Sequence, residues 1–112
     1  MYKTKIMKTR IQSLLIAGSL TCIASMAFAG DAAETWNTSC AGCHGKDGSG
    51  NTIMGKKAGV ADYRDPKVQA KFTDAEATKI ITDGKDKMKP FKDKLTADQI
   101  KELVAYVRSF KK

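Results

Sequence analysis

The chain has few of the residues on which many sites and frameworks depend: its 112 residues include one His, two Pro and three Cys. A single His excludes any site that requires two imidazoles. Three Cys cannot all pair within one molecule, which argues against a simple disulfide framework. The scarcity of Pro and the 29% of charged residues argue against a collagen-like or disordered chain. The length favours a single domain.

The first 29 residues have the pattern of a secretory signal peptide. Positions 1–10 carry four basic residues and no acid, a mostly apolar stretch runs from Ile11 to Met26, and Ala27-Phe28-Ala29 has the form of an A-x-A cleavage site. The alternative is a membrane anchor, but the apolar stretch is shorter than the roughly 20 residues of a span and contains hydroxyl side chains. We therefore predict cleavage after Ala29, a periplasmic location and no stable membrane insertion afterwards.

Cleavage would change both the charge and the Cys content of the chain. Four of the twenty basic residues lie in the leader and all twelve acidic residues remain, so the net charge falls from +8 to +4 over residues 30–112. Cys22 is also removed, which leaves two Cys; its lipidation is disfavoured because Ser19-Leu20-Thr21 matches a lipoprotein processing site poorly. A charge of +4, with bases and acids interleaved, argues against nucleic-acid binding.

The rest of the chain has helical patterns, and no segment has a convincing strand pattern. The clearest is the spacing i, i+3, i+4, i+7 of one helical face, carried by Ile100, Leu103, Val104 and Val107. Thr96 and Gln99 have the spacing of a capping box at the start of this helix. Thr73 and Glu76 repeat that spacing before a second helix, which Gly84 is placed to end.

Two further helices and one long loop complete the predicted fold. Asp31–Cys40 contains good helix formers, and Asp65-Pro66 has the form of an N-cap followed by Pro at the first helical position, opening a short helix to about Lys71. A loop rich in Gly and Lys lies between about Gly45 and Tyr63. We predict an all-α domain of three to four short helices whose core is too small to be stable without a further staple.

Cys40-Ala41-Gly42-Cys43-His44 is a C-x-x-C-H motif, the signature of c-type haem attachment. Two thiols about one helical turn apart can reach the two vinyl groups on one edge of a porphyrin and form thioethers. The following imidazole then reaches the iron as the proximal ligand. The small Ala41 and Gly42 allow the chain to lie close to the ring, and a haem would supply the missing staple.

Three other interpretations of the motif compete with haem. A redox-active dithiol of the thioredoxin kind belongs in a βαβ context, which this chain lacks. A structural zinc site needs four ligands, and the mature chain offers two Cys and one His. A plain disulfide between Cys40 and Cys43 would leave His44 and the small core without explanation. Export favours haem further, because the signal peptide would send the chain to the compartment where c-type haem is usually attached.

The candidates for a second axial ligand are two thioethers, Met88 and Met54, because the chain has no second His. Met88 lies 44 residues beyond His44 in Met88-Lys89-Pro90-Phe91, so helices and a loop can pass around the haem before the chain returns on its far face. Met54 lies only ten residues beyond His44. Packing against the haem is the better interpretation of Met54, and we predict Met88 as the distal ligand.

Residues 30–112 resemble a class I cytochrome c of the small bacterial, monohaem type. The resemblance rests on Cys40–His44, on Met88 with Pro90-Phe91, and on the closing amphipathic helix. It implies the cytochrome c fold, with short helices and a long loop wrapped around one covalently attached haem c and its iron. It also implies that the first helix packs against the last.

The family's helix packing would bring Trp36 against Leu103 and Tyr106. One departure concerns the proximal ligand, since many family members have a Pro soon after the haem motif whose carbonyl accepts a hydrogen bond from the proximal imidazole. No Pro lies between His44 and Pro66 in this chain. A carbonyl within Gly55–Val60 is the expected substitute.

The predicted function is that of a monomeric one-electron carrier rather than an enzyme, because two axial ligands leave no position on the iron for a substrate. Five lysines flank the predicted distal ligand: Lys85, Lys87, Lys89, Lys92 and Lys94. They form either a solvated surface or a positive docking site for redox partner proteins with acidic surfaces. The alternatives are a haem subunit of a larger oxidoreductase, or a haem peroxidase or gas sensor if Met88 does not bind the iron.

Overall fold

The computed structural model describes residues 27–112 and, upstream of them, Gly18; for residues 27–30 it describes the backbone. The predicted signal peptide therefore lies mostly outside the described residues, and its cleavage stays a prediction. Six α-helices follow one another along the described range: α1 (Ala27–Ser39), α2 (Ala41–His44), α3 (Ile53–Ala58), α4 (Pro66–Gln69), α5 (Asp74–Asp83) and α6 (Ala97–Ser109). Within this range no helix has both the length and the apolar character needed to cross a membrane.

The all-α prediction is confirmed for the described residues, with two more helices than the patterns indicated. One of these, α3, lies inside the predicted loop between Gly45 and Tyr63. Its helical conformation depends on its ends, because the Thr52 hydroxyl accepts from the Gly55 amide (2.8 Å) and Gly59 closes the helix in the left-handed region, at φ 69°. Such a short helix has no periodic apolar face for a sequence pattern to detect.

Both predicted capping boxes form. The Thr73 hydroxyl accepts from the Glu76 amide (3.1 Å), and the Glu76 carboxylate accepts from the Thr73 amide (3.0 Å). Thr96 and Gln99 exchange the same two bonds at the start of α6, at 3.2 and 2.8 Å. Gly84 ends α5 at φ 77°, as predicted. These bonds satisfy orphan amides in the first turn, which is why they can be predicted from local sequence.

The core lies where α1 packs against α6. The buried apolar residues in the described range are few: Ala32, Trp36, Ile100, Leu103, Val104 and Val107. Trp36 packs with Leu103 and Val107, and its ring lies 5.9 Å from that of Tyr106. The implied contact between first and last helices is therefore present. The small number of buried side chains agrees with the prediction that this core needs a staple.

A polar network joins α4 and α5 to α6, and no sequence motif indicated it. Gln69 is buried, and its side-chain amide donates to the carbonyls of Tyr63 (2.7 Å) and Val107 (2.9 Å). The guanidinium of Arg108 donates to the Gln69 side-chain oxygen (2.9 Å) and to the Asp74 carboxylate (2.8 Å). Because each group is satisfied by a partner far along the chain, the network holds the short helices in place.

Candidate haem site

A cleft of about 430 Å³ opens between the end of α1, α2, α3 and the segment that follows α5, a volume typical of a cofactor site. Its walls are formed by Ser39, Cys40, Cys43, His44, Met54, Lys57, Ala58, Val60, Lys87, Met88, Lys89 and Phe91. A second cavity of about 120 Å³ shares Cys40, His44 and Met88 with the cleft, and its other walls are mostly aromatic and aliphatic side chains of the core. The two spaces therefore meet at these three side chains.

The cleft brings together all four residues that the sequence analysis proposed for haem. Cys40, Cys43, His44 and Met88 all line it, although Met88 is far from the others in sequence. Met54 lines it too, and its side chain is 55% exposed. Met88 differs from Met54 in that it is half-buried and also reaches the apolar cavity. Burial thus distinguishes the two thioethers, whereas position in the cleft does not.

One turn of helix carries the C-x-x-C-H motif. The amide of His44 donates to the Cys40 carbonyl (3.0 Å), and the amide of Gly45 donates to the Ala41 carbonyl (2.8 Å). Both thiols are free in the structure. Burial raises the pKa of the Cys40 thiol to about 11, so it is protonated at neutral pH. A redox-active dithiol depends on a thiolate of lowered pKa, and burial shifts the pKa of Cys40 in the opposite direction.

The imidazole of His44 lies between aromatic neighbours. Its ring centre is 5.5 Å from that of Trp36 and 5.4 Å from that of Tyr63, which is stacked on it at an interplanar angle of 27°. Burial lowers the pKa of His44, which favours the neutral imidazole that can bind a metal. Its Nδ1 is buried and has no hydrogen-bond partner among the described residues.

The expected carbonyl partner for His44 within Gly55–Val60 is not present in the structure. One carbonyl of this segment is already engaged, because that of Gly55 accepts from the amides of Gly59 and Val60 at the end of α3. The prediction treated the segment as a loop, whereas the structure includes it up to Ala58 in a helix.

Helix α3 is held directly against the haem motif. The Thr52 hydroxyl donates to the Cys43 carbonyl (2.7 Å) while it caps α3. A Cβ at position 55 would overlap that same Cys43 carbonyl oxygen, so only Gly permits this approach. Trp36 holds the other side of the motif, because its indole N–H donates to the Gly45 carbonyl (2.9 Å). These contacts fix the direction of the Cys43 and His44 side chains.

The segment that carries Met88 is a tight turn. The backbone groups of Lys85 and Met88 exchange two hydrogen bonds, of 3.0 and 2.9 Å, and Asp86 between them has a φ of 52°. Behind the turn, a Cβ at Gly84 would lie 2.6 Å from the Met88 carbonyl oxygen. The amide of Phe91 then donates to the Ile81 carbonyl (2.9 Å), which ties the segment back to α5. Met88 is therefore presented by a well-supported backbone.

Positive charge surrounds the mouth of the cleft. Lys57, Lys87 and Lys89 contribute to its walls. The ammonium of Lys87 donates to the Lys57 carbonyl at the end of α3 (3.3 Å), so it bridges the distal turn and α3. An anionic group or an acidic protein surface would meet a favourable potential at this opening.

Comparison with known proteins decides the family. A family model described as "Cytochrome C oxidase, cbb3-type, subunit III" matches residues 27–107. A solved structure named KustC0563 c-type cytochrome is 38% identical, with a TM-score of 0.68, and the match covers 72% of this chain and 98% of that one. The chain belongs to the c-type cytochromes. A tyrosine-to-phenylalanine mutant of the same protein matches similarly, with 38% identity, a TM-score of 0.66 and coverage of 72% and 99%. No curated protein matches the chain.

A c-type cytochrome carries covalently bound haem c with its iron, and the cleft of this cytochrome fits that group. Two thiols on one helical turn, a buried imidazole and a thioether form the set of donors that haem c uses. The adjoining cavity is lined by Trp36, Leu103 and Val107, which suit the apolar face of a macrocycle. Haem-based electron transfer follows for this cytochrome as a member of the family.

Sequence reasoning missed three residues that shape the site of this cytochrome. Thr52 and Gly55 position the motif through α3, and Tyr63 stacks on His44. The only available signal was the concentration of Gly around positions 45–59, which indicates close backbone approach without showing to what. An aromatic residue at the end of a loop carries no signal of its contact with His44.

Proposed function

We propose that this cytochrome is an exported, monomeric one-electron carrier whose haem is bound by Cys40 and Cys43 through thioethers, with His44 and Met88 as axial ligands. The observation that supports it is that these four side chains line one cleft. Each thiol would add its S–H across a vinyl double bond, a step with no leaving group. The two cysteines would thereby anchor one haem edge to α2, and the motif would hold His44 beneath the iron.

The haem would supply a one-electron change at iron, and the residues around it would set the conditions of that change. If His44 and Met88 both held the iron, no position on it would remain for a substrate, and the chemistry that the haem would supply would be one-electron transfer. A Met ligand raises the reduction potential relative to two imidazoles. The apolar walls around Trp36 and Leu103 exclude water and disfavour the more highly charged oxidised state. This effect would also raise the reduction potential.

We propose that the lysines at the cleft mouth recruit redox partners with acidic surfaces. Electron-transfer rates with such a partner should then fall as ionic strength rises, because salt screens exposed charges. Lys87→Glu should reduce the rate at low salt by roughly tenfold, within the range known for electrostatic steering. The measurement is stopped-flow oxidation by an acidic redox protein over a series of salt concentrations.

Lys101→Glu is the matched control for Lys87→Glu. It makes the same change of net charge on the exposed side of α6, away from the walls of the cleft. It should lower the rate much less than Lys87→Glu. Equal effects of the two variants would attribute the salt dependence to overall charge, and rates independent of salt would remove the docking proposal.

A second candidate function is that of a haem subunit docked permanently on a larger oxidoreductase, which the description of the matching family as an oxidase subunit favours. The two candidates differ in the size of the native particle. A free carrier of this length should elute from a size-exclusion column as a small protein when a native extract is applied, with detection by haem absorbance. Co-elution with a large complex would instead identify the docked subunit.

A further inference from the structure

Tyr63 contacts the proposed proximal ligand and no role has yet been assigned to it. Its ring is stacked on the imidazole of His44 at 5.4 Å, with 27° between the planes. Tyr63 also lines the apolar cavity beside His44 and is half-buried. Burial raises the pKa of its hydroxyl, so the side chain is neutral at physiological pH and acts through its ring rather than through charge.

The orientation of an axial imidazole is normally fixed by a hydrogen bond from the nitrogen that does not bind the metal. No described residue makes that bond to His44, whose Nδ1 is buried without a protein partner. Many family members make this bond to the carbonyl of a Pro soon after the haem motif, and the chain has no Pro between His44 and Pro66. Something else must therefore limit rotation of the ring about its bond to the backbone.

The structure holds Tyr63 firmly enough for this task. Its amide donates to the Gly48 carbonyl (2.8 Å), and its carbonyl accepts from the buried Gln69 side chain (2.7 Å). Its ring also makes a T-shaped contact with that of Phe72, with 6.0 Å between the ring centres. Because the backbone of Tyr63 is hydrogen-bonded through both its amide and its carbonyl, its ring can restrict the orientation of the imidazole stacked on it.

We infer that Tyr63 is a positioning residue for His44, and that ring stacking replaces the missing hydrogen bond in orienting the proximal imidazole. The inference rests on the proposed ligation of iron by His44. Stacking stabilises an aromatic pair beyond the burial of its surface. For His44, this would favour the stacked orientation of the imidazole over other orientations by a factor of about two to twelve. Loss of the ring should therefore populate a second orientation, whereas loss of the hydroxyl should not.

The test compares the purified ferric holoproteins of the wild type, Tyr63→Phe and Tyr63→Leu by electron paramagnetic resonance and by haem-methyl NMR shifts, both of which report the orientation of the axial imidazole. We expect the Tyr63→Phe spectra to match the wild type and the Tyr63→Leu spectra to broaden or split. Tyr63→Met, which keeps more of the side-chain length, serves the same purpose if Tyr63→Leu does not yield holoprotein.

Val104→Ala is the control for a general loss of packing. It removes buried apolar volume from α6 at a side chain that lines neither the cleft nor the cavity beside His44, so it should lower the melting temperature and leave the spectra unchanged. Wild-type spectra from Tyr63→Leu or Tyr63→Met, or equal changes in Val104→Ala, would overturn the role of Tyr63. A wild type without a low-spin ferric signal would overturn the proposed axial ligation itself, and this inference with it.

Discussion

Replacement of both Cys40 and Cys43 by Ala is expected to abolish the folded cytochrome. Few apolar side chains are buried between α1 and α6, and three of them, Trp36, Leu103 and Val107, line the apolar cavity that adjoins the haem cleft. Without a covalent haem, the apolar side chains around this cavity would lose the group that covers them, and their exposure to water would cost free energy in a domain stabilised by only roughly 5–15 kcal/mol. The open cleft would add to that cost.

The measurement is the amount of haem-bearing protein recovered from expressing cells, together with its helical circular dichroism. The single variants Cys40→Ala and Cys43→Ala are the matched controls, since each keeps one thioether and should retain a reduced amount of holoprotein. A stable helical domain without haem from the double variant would contradict the account of a core built around the cofactor.

Met88→Ala is expected to keep the covalent haem and lose the low-spin ferric spectrum. The thiols of Cys40 and Cys43 do not depend on the distal turn, so attachment should survive, while the iron would lose its proposed second axial ligand. The reduction potential should fall, because the proposed Met ligand would raise it. Visible absorption spectroscopy of the oxidised protein and a redox titration measure both effects.

Two further variants make the test of Met88 specific. Met54→Ala removes the other thioether of the cleft and should leave both the spectrum and the potential unchanged. Met88→His should keep the low-spin state and lower the potential, because two imidazoles replace the His/Met pair. If Met54→Ala has the larger effect, the distal ligand is Met54; if the wild type is itself high-spin, the peroxidase or gas-sensor alternative is favoured.

The elements that local sequence predicted are those whose stabilising bonds are local. Thr73 with Glu76 and Thr96 with Gln99 form capping boxes within one turn, and Gly84 ends α5 at a positive φ. The C-x-x-C-H motif likewise occupies a single helical turn. In each case the chemistry is complete within a few residues, so the sequence contains the whole signal.

The elements that were missed depend on contacts between distant residues. Gly55 lies against the Cys43 carbonyl, and Gln69 joins Arg108 across 39 positions. Neither contact has a period or a motif, because each partner is chosen by the packing of the whole chain. The hydrogen bond expected between His44 and a carbonyl within Gly55–Val60 likewise depended on how this segment packs, and the structure includes the segment up to Ala58 in α3 without making that bond.

The sequence by itself determined the helical class, the covalent haem motif and the candidate axial ligands, because residue type and short spacing are sufficient for these. Tertiary structure alone decided that Cys40, Cys43, His44 and Met88 share one cleft with Met54, and that Tyr63 stacks on the imidazole. Those arrangements arise when α1 packs on α6 and the short helices close around the space between them. Their energy comes from burial and from hydrogen bonds between distant segments, which no local pattern records.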